Sequence, residues 1–238
     1  MGQLTEFIFM LTHHDVTVPN ALEVFDEVRN TGLRFVGCKD IGLTISQLEE
    51  LFKRIRMAGM SSFLEIVCNN EKDHFAGIEK ALHIKADYII GGMPRFAKKT
   101  LEYLKEKKTV SKFFPYIGEV VGHPCLLKGK VEEIADQGVQ FEKLGADGIN
   151  LLLFRYEGDA DRLLDEVAMK VRIPLVIAGN IDSYERIKPI LKRNIFAFTV
   201  GGAVFERKFV PGEGIKEQVM AVLNLTRTRP AKKGLIKK

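Results

Sequence analysis

Eight short apolar runs, spread along the whole chain and separated by segments of helical periodicity, restrict the folds open to this sequence more than any other feature. The runs fall at residues 7–11, 33–38, 62–68, 88–90, 113–117, 148–154, 175–178 and 195–200. Continuous apolar runs of this length suit strands buried on both faces, as in a parallel sheet. Helical segments lie between and after them, at 21–28, 46–57, 72–83, 94–106, 131–144, 161–171, 183–192 and 214–225. Leu48, Leu51, Phe52 and Ile55 show the helical spacing most clearly. Ser46 and Ser183 are the expected N-caps of their segments, and Pro189 should kink or shorten the seventh. Strand–helix alternation implies parallel pairing with right-handed crossovers. Eight such units close most simply into a single (β/α)8 TIM barrel of the α/β class over residues 1–225; an open doubly wound sheet is the other arrangement. The length of 238 residues is close to the roughly 250 typical of this barrel.

Two of the late runs end in glycine. Residues 175–178 close at Gly179-Asn180, and residues 195–200 close at Gly201-Gly202. A glycine at the carboxyl end of a strand lets bare backbone N–H groups approach a ligand. Where the next residues open a helix, those N–H groups and the helix dipole favour an anion. In (β/α)8 barrels a phosphate cradle of this kind is typically built after strands seven and eight. Gly179, Asn180, Gly201 and Gly202 are therefore the expected phosphate-binding residues. The other reading of the same glycines is a pair of tight strand-to-helix turns.

The segment Ala178-Gly179-Asn180 followed by Thr199-Val200-Gly201-Gly202-Ala203 resembles the phosphate-binding half of the ribulose-phosphate-binding barrels. That group includes the phosphoribosyl isomerases of histidine and tryptophan synthesis and the N-acetylmannosamine-6-phosphate epimerases. The resemblance implies a (β/α)8 fold and a small phosphorylated ligand. The histidine-pathway isomerases use an Asp at the end of strand one and another at the end of strand five. The matching regions here read His13-His14-Asp15 and Glu119, and the epimerases' Glu falls where this chain has Asn180. The phosphate half alone carries over.

Barrel enzymes carry their reactive groups at the carboxyl ends of the strands. Those ends hold His13, His14, Asp15, Lys39, Asp40, Glu65, Asn69, Glu119, His123, Arg155 and Asn180. Glu65 lies inside an apolar strand, where a carboxylate must be paired or protonated, and Lys39 on the neighbouring strand is its natural partner. A Lys–carboxylate pair can move a proton next to a carbonyl. The expected catalytic set is Lys39, Asp40, Glu65, Glu119 and His123. His13, Asp15 and Arg155 are the expected substrate-binding residues, with Arg155 suited to a carboxylate or a second phosphate. A Schiff base on Lys39 is disfavoured, because Asp40 and Glu65 keep it charged. His13-His14-Asp15 offers metal-binding side chains, but neighbouring strand residues point to opposite faces, so no metal or other cofactor is expected. His74 and His83 fall on helices and are expected at the surface.

The formal charge of +5 comes from a tail. Arg227, Arg229, Lys232, Lys233, Lys237 and Lys238 carry it, and the rest of the chain has 30 bases against 31 acids. Residues 226–238 are expected to be a flexible basic tail rather than a nucleic-acid site. Three scattered cysteines fit a reducing, cytoplasmic setting. No apolar run approaches the roughly 18 residues of a membrane span. The expected activity is isomerisation or epimerisation of a small sugar phosphate through an enediolate. The alternatives are an aldolase- or decarboxylase-type lyase and a non-catalytic phosphometabolite-binding barrel. Self-association is compatible with any of these.

Overall fold

The buried runs pair side by side as parallel strands. The computed structural model describes residues 4–122 and 124–227. In chain order it holds β1 (Glu6–Met10), β2 (Thr12–His13), β3 (Val16–Thr17), α1 (Ala21–Val28), β4 (Phe35–Lys39), α2 (Ile45–Met57), β5 (Ser61–Ile66) and α3 (Glu71–His83). Next come β6 (Tyr88–Gly91), α4 (Ala97–Glu106), β7 (Lys112–Pro115), β8 (Glu119–Val121), β9 (Leu126–Lys128), α5 (Val131–Lys143), β10 (Ile149–Leu152) and α6 (Ala160–Lys170). The chain closes with β11 (Leu175–Ala178), α7 (Tyr184–Leu191), β12 (Ala197–Val200), α8 (Gly202–Phe205) and α9 (Ile215–Arg227).

Eight strands form one parallel sheet in the order β10-β11-β12-β1-β4-β5-β6-β7. Its two edges meet at a parallel bridge between Tyr116 and Asn150. The Phe113 N–H donates to the Asp147 carboxylate at 2.9 Å, and the Asp147 N–H returns to the Phe113 carbonyl at 3.2 Å. The sheet is thus a (β/α)8 barrel, and the open doubly wound arrangement is excluded.

Side chains of one parity point into the barrel and those of the other face the helices. Ile8, Phe35, Phe63, Ile90, Phe114, Val176 and Ala197 pack inside, joined by Tyr88 and Phe196. Phe63 and Tyr88 stack with centroids 4.2 Å apart. These rings fill the amino end of the lumen, so the polar groups gather at the carboxyl end. Two antiparallel ribbons, β2–β3 and β8–β9, rise from that same end.

Several sequence expectations need correction. The second helix starts at Ile45 and is capped by Thr44 rather than Ser46. The Thr44 hydroxyl accepts from Gln47 N–H at 3.3 Å, and the Gln47 side-chain oxygen Oε1 accepts from Thr44 N–H at 2.9 Å. Ser183 takes the expected N-cap position of α7 but makes no side-chain cap hydrogen bond. Between the fifth run and its helix the chain also forms a ribbon that no apolar run announced, in which β8 and β9 pair. His74 is fully buried instead of exposed: its imidazole binds Thr100 Oγ1 at 2.7 Å under α4. Residues 228–238, most of the expected basic tail, lie outside the described residues, as does His123.

Candidate active site

Lys39 ends β4, and its backbone is fixed before its side chain acts. The Thr17 hydroxyl donates to the Lys39 carbonyl at 2.8 Å and accepts from the Lys39 N–H at 2.9 Å. This ties β3 to β4 and aims the lysine across the mouth. Its Nζ donates to Asp15 Oδ1 at 2.8 Å and stands 3.6 Å from Glu65 Oε1. Arg155, in the turn after β10, donates through Nη2 to both oxygens of Asp15, at 2.9 and 3.1 Å. The Tyr116 hydroxyl donates to Glu65 Oε1 at 2.5 Å. Five side chains from five strands or strand ends form one chain of contacts: Arg155, Asp15, Lys39, Glu65 and Tyr116.

Burial and partners set the charge of each group. Burial raises the Asp15 carboxyl, but hydrogen bonds from Arg155 and Lys39 outweigh it and hold its pKa at about 2. Burial works against the Lys39 ammonium, yet Glu65 and Asp15 overcome it and lift its pKa above the ordinary lysine value. Lys39 is therefore a cation, not a free amine. Tyr116 is pushed well up, first by burial and then by the Glu65 charge, so it stays a hydrogen-bond donor. Arg155 remains cationic for the same reason as Lys39.

Glycine and αL geometry shape the other wall. Gly179 has φ +84° and Asn180 φ +51°, a reversal that turns the chain sharply off β11. Gly201 and Gly202 end β12, and Gly202 opens the short α8. A Cβ on Gly201 would sit 2.5 Å from Thr12 Oγ1, so only glycine fits against the β2 ribbon. Both corners line one cavity of about 250 Å³, together with Asp15, Lys39, Glu65, Tyr116 and Arg155. Lys208 lines its lip, holding Glu206 at 2.8 Å and Asp182 at 3.7 Å. Asn180 lends its carbonyl to Arg186.

The expected residues divide into those that converge and those that do not. Lys39, Glu65, Asp15, Arg155, Gly179, Asn180, Gly201 and Gly202 share the cavity. Asp40 turns away from it: its carboxylate accepts Val67 N–H at 2.9 Å and lies 3.7 Å from Lys80 on α3. Strand parity explains this, since Lys39 takes the inward position and its neighbour must face the helix. Glu119 is exposed on the β8–β9 ribbon, lines a different cavity, and does not meet Lys39 or Glu65. The strand that was to deliver it ends at Pro115. His13 and His14 have tilted rings with centroids 3.8 Å apart, because His13 ends β2 and His14 sits in the hairpin turn that follows it. His13 faces Glu206 at 3.5 Å and Phe205, while His14 lines the cavity. Among the described residues no group of three His, Cys, Asp or Glu side chains is arranged to hold a metal ion.

Tyr116, Thr17 and Lys208 were not singled out from the sequence. Tyr116 was legible: two residues past inward-facing Phe114, it had to point into the lumen. Thr17 and Lys208 reach the site through ribbon and loop geometry that no local pattern encodes.

No family model matches the chain, and no curated protein matches it in sequence. Its structural likeness is broad. It is similar to thiamine phosphate pyrophosphorylase from Pyrococcus furiosus, with a TM-score of 0.63 and 17% identity over 94% of this chain and 96% of that one. It is similar to orotidine 5'-phosphate decarboxylase from Pyrococcus horikoshii, with a TM-score of 0.65 and 14% identity over 93% and 99% of the two chains. It is also similar to phosphoribosylanthranilate isomerase from Thermotoga maritima, with a TM-score of 0.62 and 10% identity over 94% and 99%. At these identities the likeness establishes the barrel, and the chemistry has to be argued from the cavity.

Proposed function

We propose that this barrel is an enzyme that enolises a small sugar phosphate, interconverting a ketose and an aldose through an enediolate. One observation carries the reading: the glycine corners at Gly179 and Gly202 and the Lys39–Glu65 pair line the same cavity. A phosphate at the corners would meet backbone N–H groups at the start of α8, with Lys208 released from Glu206 to face it. The carbonyl end would then reach Lys39 and Glu65.

Glu65 is the proton acceptor in this scheme. It takes the proton beside the carbonyl, and the Lys39 ammonium stabilises the enediolate oxygen. Tyr116 orients the Glu65 carboxylate by donating to it. Asp15, held ionised by Arg155, keeps Lys39 charged and in place. With Glu119 turned to another cavity, one base serves both carbons, which favours isomerisation on one face over epimerisation. Cleavage of a carbon–carbon bond through the same enolate is the second reading, favoured by the fixed cation at Lys39. That cation speaks against a Schiff base.

The test is solvent exchange. Ketose phosphates of three to six carbons are incubated with the protein in heavy water and recovered. Deuterium at the carbon next to the carbonyl is expected, and it should vanish in Glu65→Gln. Recovery of every substrate without deuterium rejects proton abstraction.

A further inference from the structure

A second reactive array lies behind the first. Cys68 follows β5, with its sulfur 3.5 Å from His74 Nδ1 on α3. His74 Nε2 lies 2.7 Å from Thr100 Oγ1 on α4. The Thr100 hydroxyl donates its own proton to the Phe96 carbonyl at 2.9 Å. A carbonyl only accepts, so Thr100 must accept from His74, and Nε2 carries the imidazole proton. Nδ1 is then a lone pair aimed at Cys68, and the thiol donates to it. This is the nucleophile–base–orienter arrangement of covalent catalysis.

The surroundings are shaped for it. A Cβ on Gly92 would lie 2.6 Å from His74 Cε1, and Gly92 has φ +75°; a side chain there would evict the imidazole. The Met93 N–H donates to the Cys68 sulfur, a contact that favours the thiolate. Cys68 faces a cavity of about 730 Å³ between the β8–β9 ribbon and α5. A further small cavity of about 20 Å³ is lined by Cys68 on one side and by Lys39 and Glu65 on the other. Among the described residues the charged side chains around the larger cavity are Arg95, Lys128, Glu119 and Glu133, which balance, so it suits an uncharged guest.

We propose that Cys68, with His74 as its base, is a covalent attachment site for small uncharged aldehydes entering this second cavity. The thiol proton passes to His74 Nδ1 as the sulfur–carbon bond forms at the carbonyl carbon. The π pair moves to oxygen, which takes the proton from the imidazolium. The product is a hemithioacetal, and nothing is oxidised or reduced. The site is separate from the sugar-phosphate cavity and does not depend on the isomerase reading.

Burial keeps the resting pair neutral: it lifts the thiol to about 11 and lowers the imidazole to about 4. The charged and titratable groups facing the pair are Glu71 and Asp73 on α3, Asp40 after β4 and Cys125 on the ribbon side. The thiolate–imidazolium form is a tautomer of the neutral pair. At these values the neutral pair dominates, so the imidazole acts as a general base while the sulfur attacks and not by storing a resting thiolate.

The experiment is competitive alkylation by iodoacetamide, read by peptide mass spectrometry, with Cys125 as the internal reference because it lines the same cavity, whose lining among the described residues holds no histidine. Cys68 should react about tenfold or more faster than Cys125, within the range of general-base assistance. His74→Gln should bring Cys68 down to the Cys125 rate. Thr100→Val, a milder change that frees the imidazole tautomer, should slow it severalfold and serves if the first variant does not fold. Glyceraldehyde, added first, should protect Cys68 and not Cys125. Equal rates for the two cysteines, or a folded variant labelled like the parent, would overturn the base-activated thiol. Lack of protection by glyceraldehyde would overturn the aldehyde assignment.

Discussion

Arg155 grips both carboxylate oxygens of Asp15 across the barrel mouth, 140 residues away in sequence, at 2.9 and 3.1 Å. The pair is only partly exposed, at 14% for each side chain. Asp15 also accepts from Lys39, so one carboxylate bridges two cations, and Glu65 stands 3.6 Å from the lysine. Asp15→Ala would leave Arg155 without its carboxylate and Lys39 with Glu65 alone. Removing one partner of a buried pair costs about 3–5 kcal/mol, and the partial exposure here places the expectation near the lower end. Urea unfolding would measure it. Arg155→Met should cost less, because Lys39 still neutralises Asp15.

Glu65→Gln keeps the shape of the side chain and can still accept from Tyr116, but it cannot take a proton. Substrate-dependent turnover should fall by about 10²–10⁴-fold, the range general-base removal usually costs. The melting temperature should move little. Steady-state kinetics beside a thermal melt would separate the two effects, and an unchanged rate would remove Glu65 from the mechanism.

The barrel was legible because its signal is global. Eight buried runs and the helices between them define the fold even when single boundaries slip, as at Thr44 and Pro115. The cavity was legible where strand ends decide the outcome: Lys39, Glu65 and the two glycine corners all lie at or near the carboxyl ends of buried runs. Asp40 was misread because parity was not applied beyond Lys39. Glu119 was misread because a ribbon, a tertiary pairing without local signature, takes over after β7. His74 shows the same limit from the other side. A histidine on a helix face was assigned to solvent, but Gly92 leaves a gap in the opposing chain that the imidazole fills.

Stability should depend on acid in two windows. His74 has a folded pKa of about 4 against an ordinary 6.5, so the unfolded chain binds more protons between these values. Its contribution is full above 6.5 and is lost as the pH falls through 4, amounting to about 3 kcal/mol. Asp15, at about 2 against 3.8, loses a further contribution of about 2 kcal/mol below 3.8. Chemical denaturation across these ranges should show the first loss shrinking in His74→Gln.

Gly202→Asp isolates the anion site from the fold. A Cβ at Gly202 meets nothing closer than 3.7 Å, so the substitution fits, and a carboxylate suits the start of a helix. It would nonetheless put a negative charge where the phosphate is expected. Inorganic phosphate should bind the variant at least about tenfold more weakly, a coupling of about 1.4 kcal/mol, with unfolding unchanged. Calorimetric titration would read it.

The most direct measurement is a crystal grown or soaked with inorganic phosphate. The account predicts tetrahedral density between Gly179 and Gly202, within hydrogen-bond reach of their backbone N–H groups and of Lys208, with Lys39 and Glu65 on the opposite side of the same cavity. A saturating soak that leaves this position without phosphate, or places it away from both glycine corners, would contradict it.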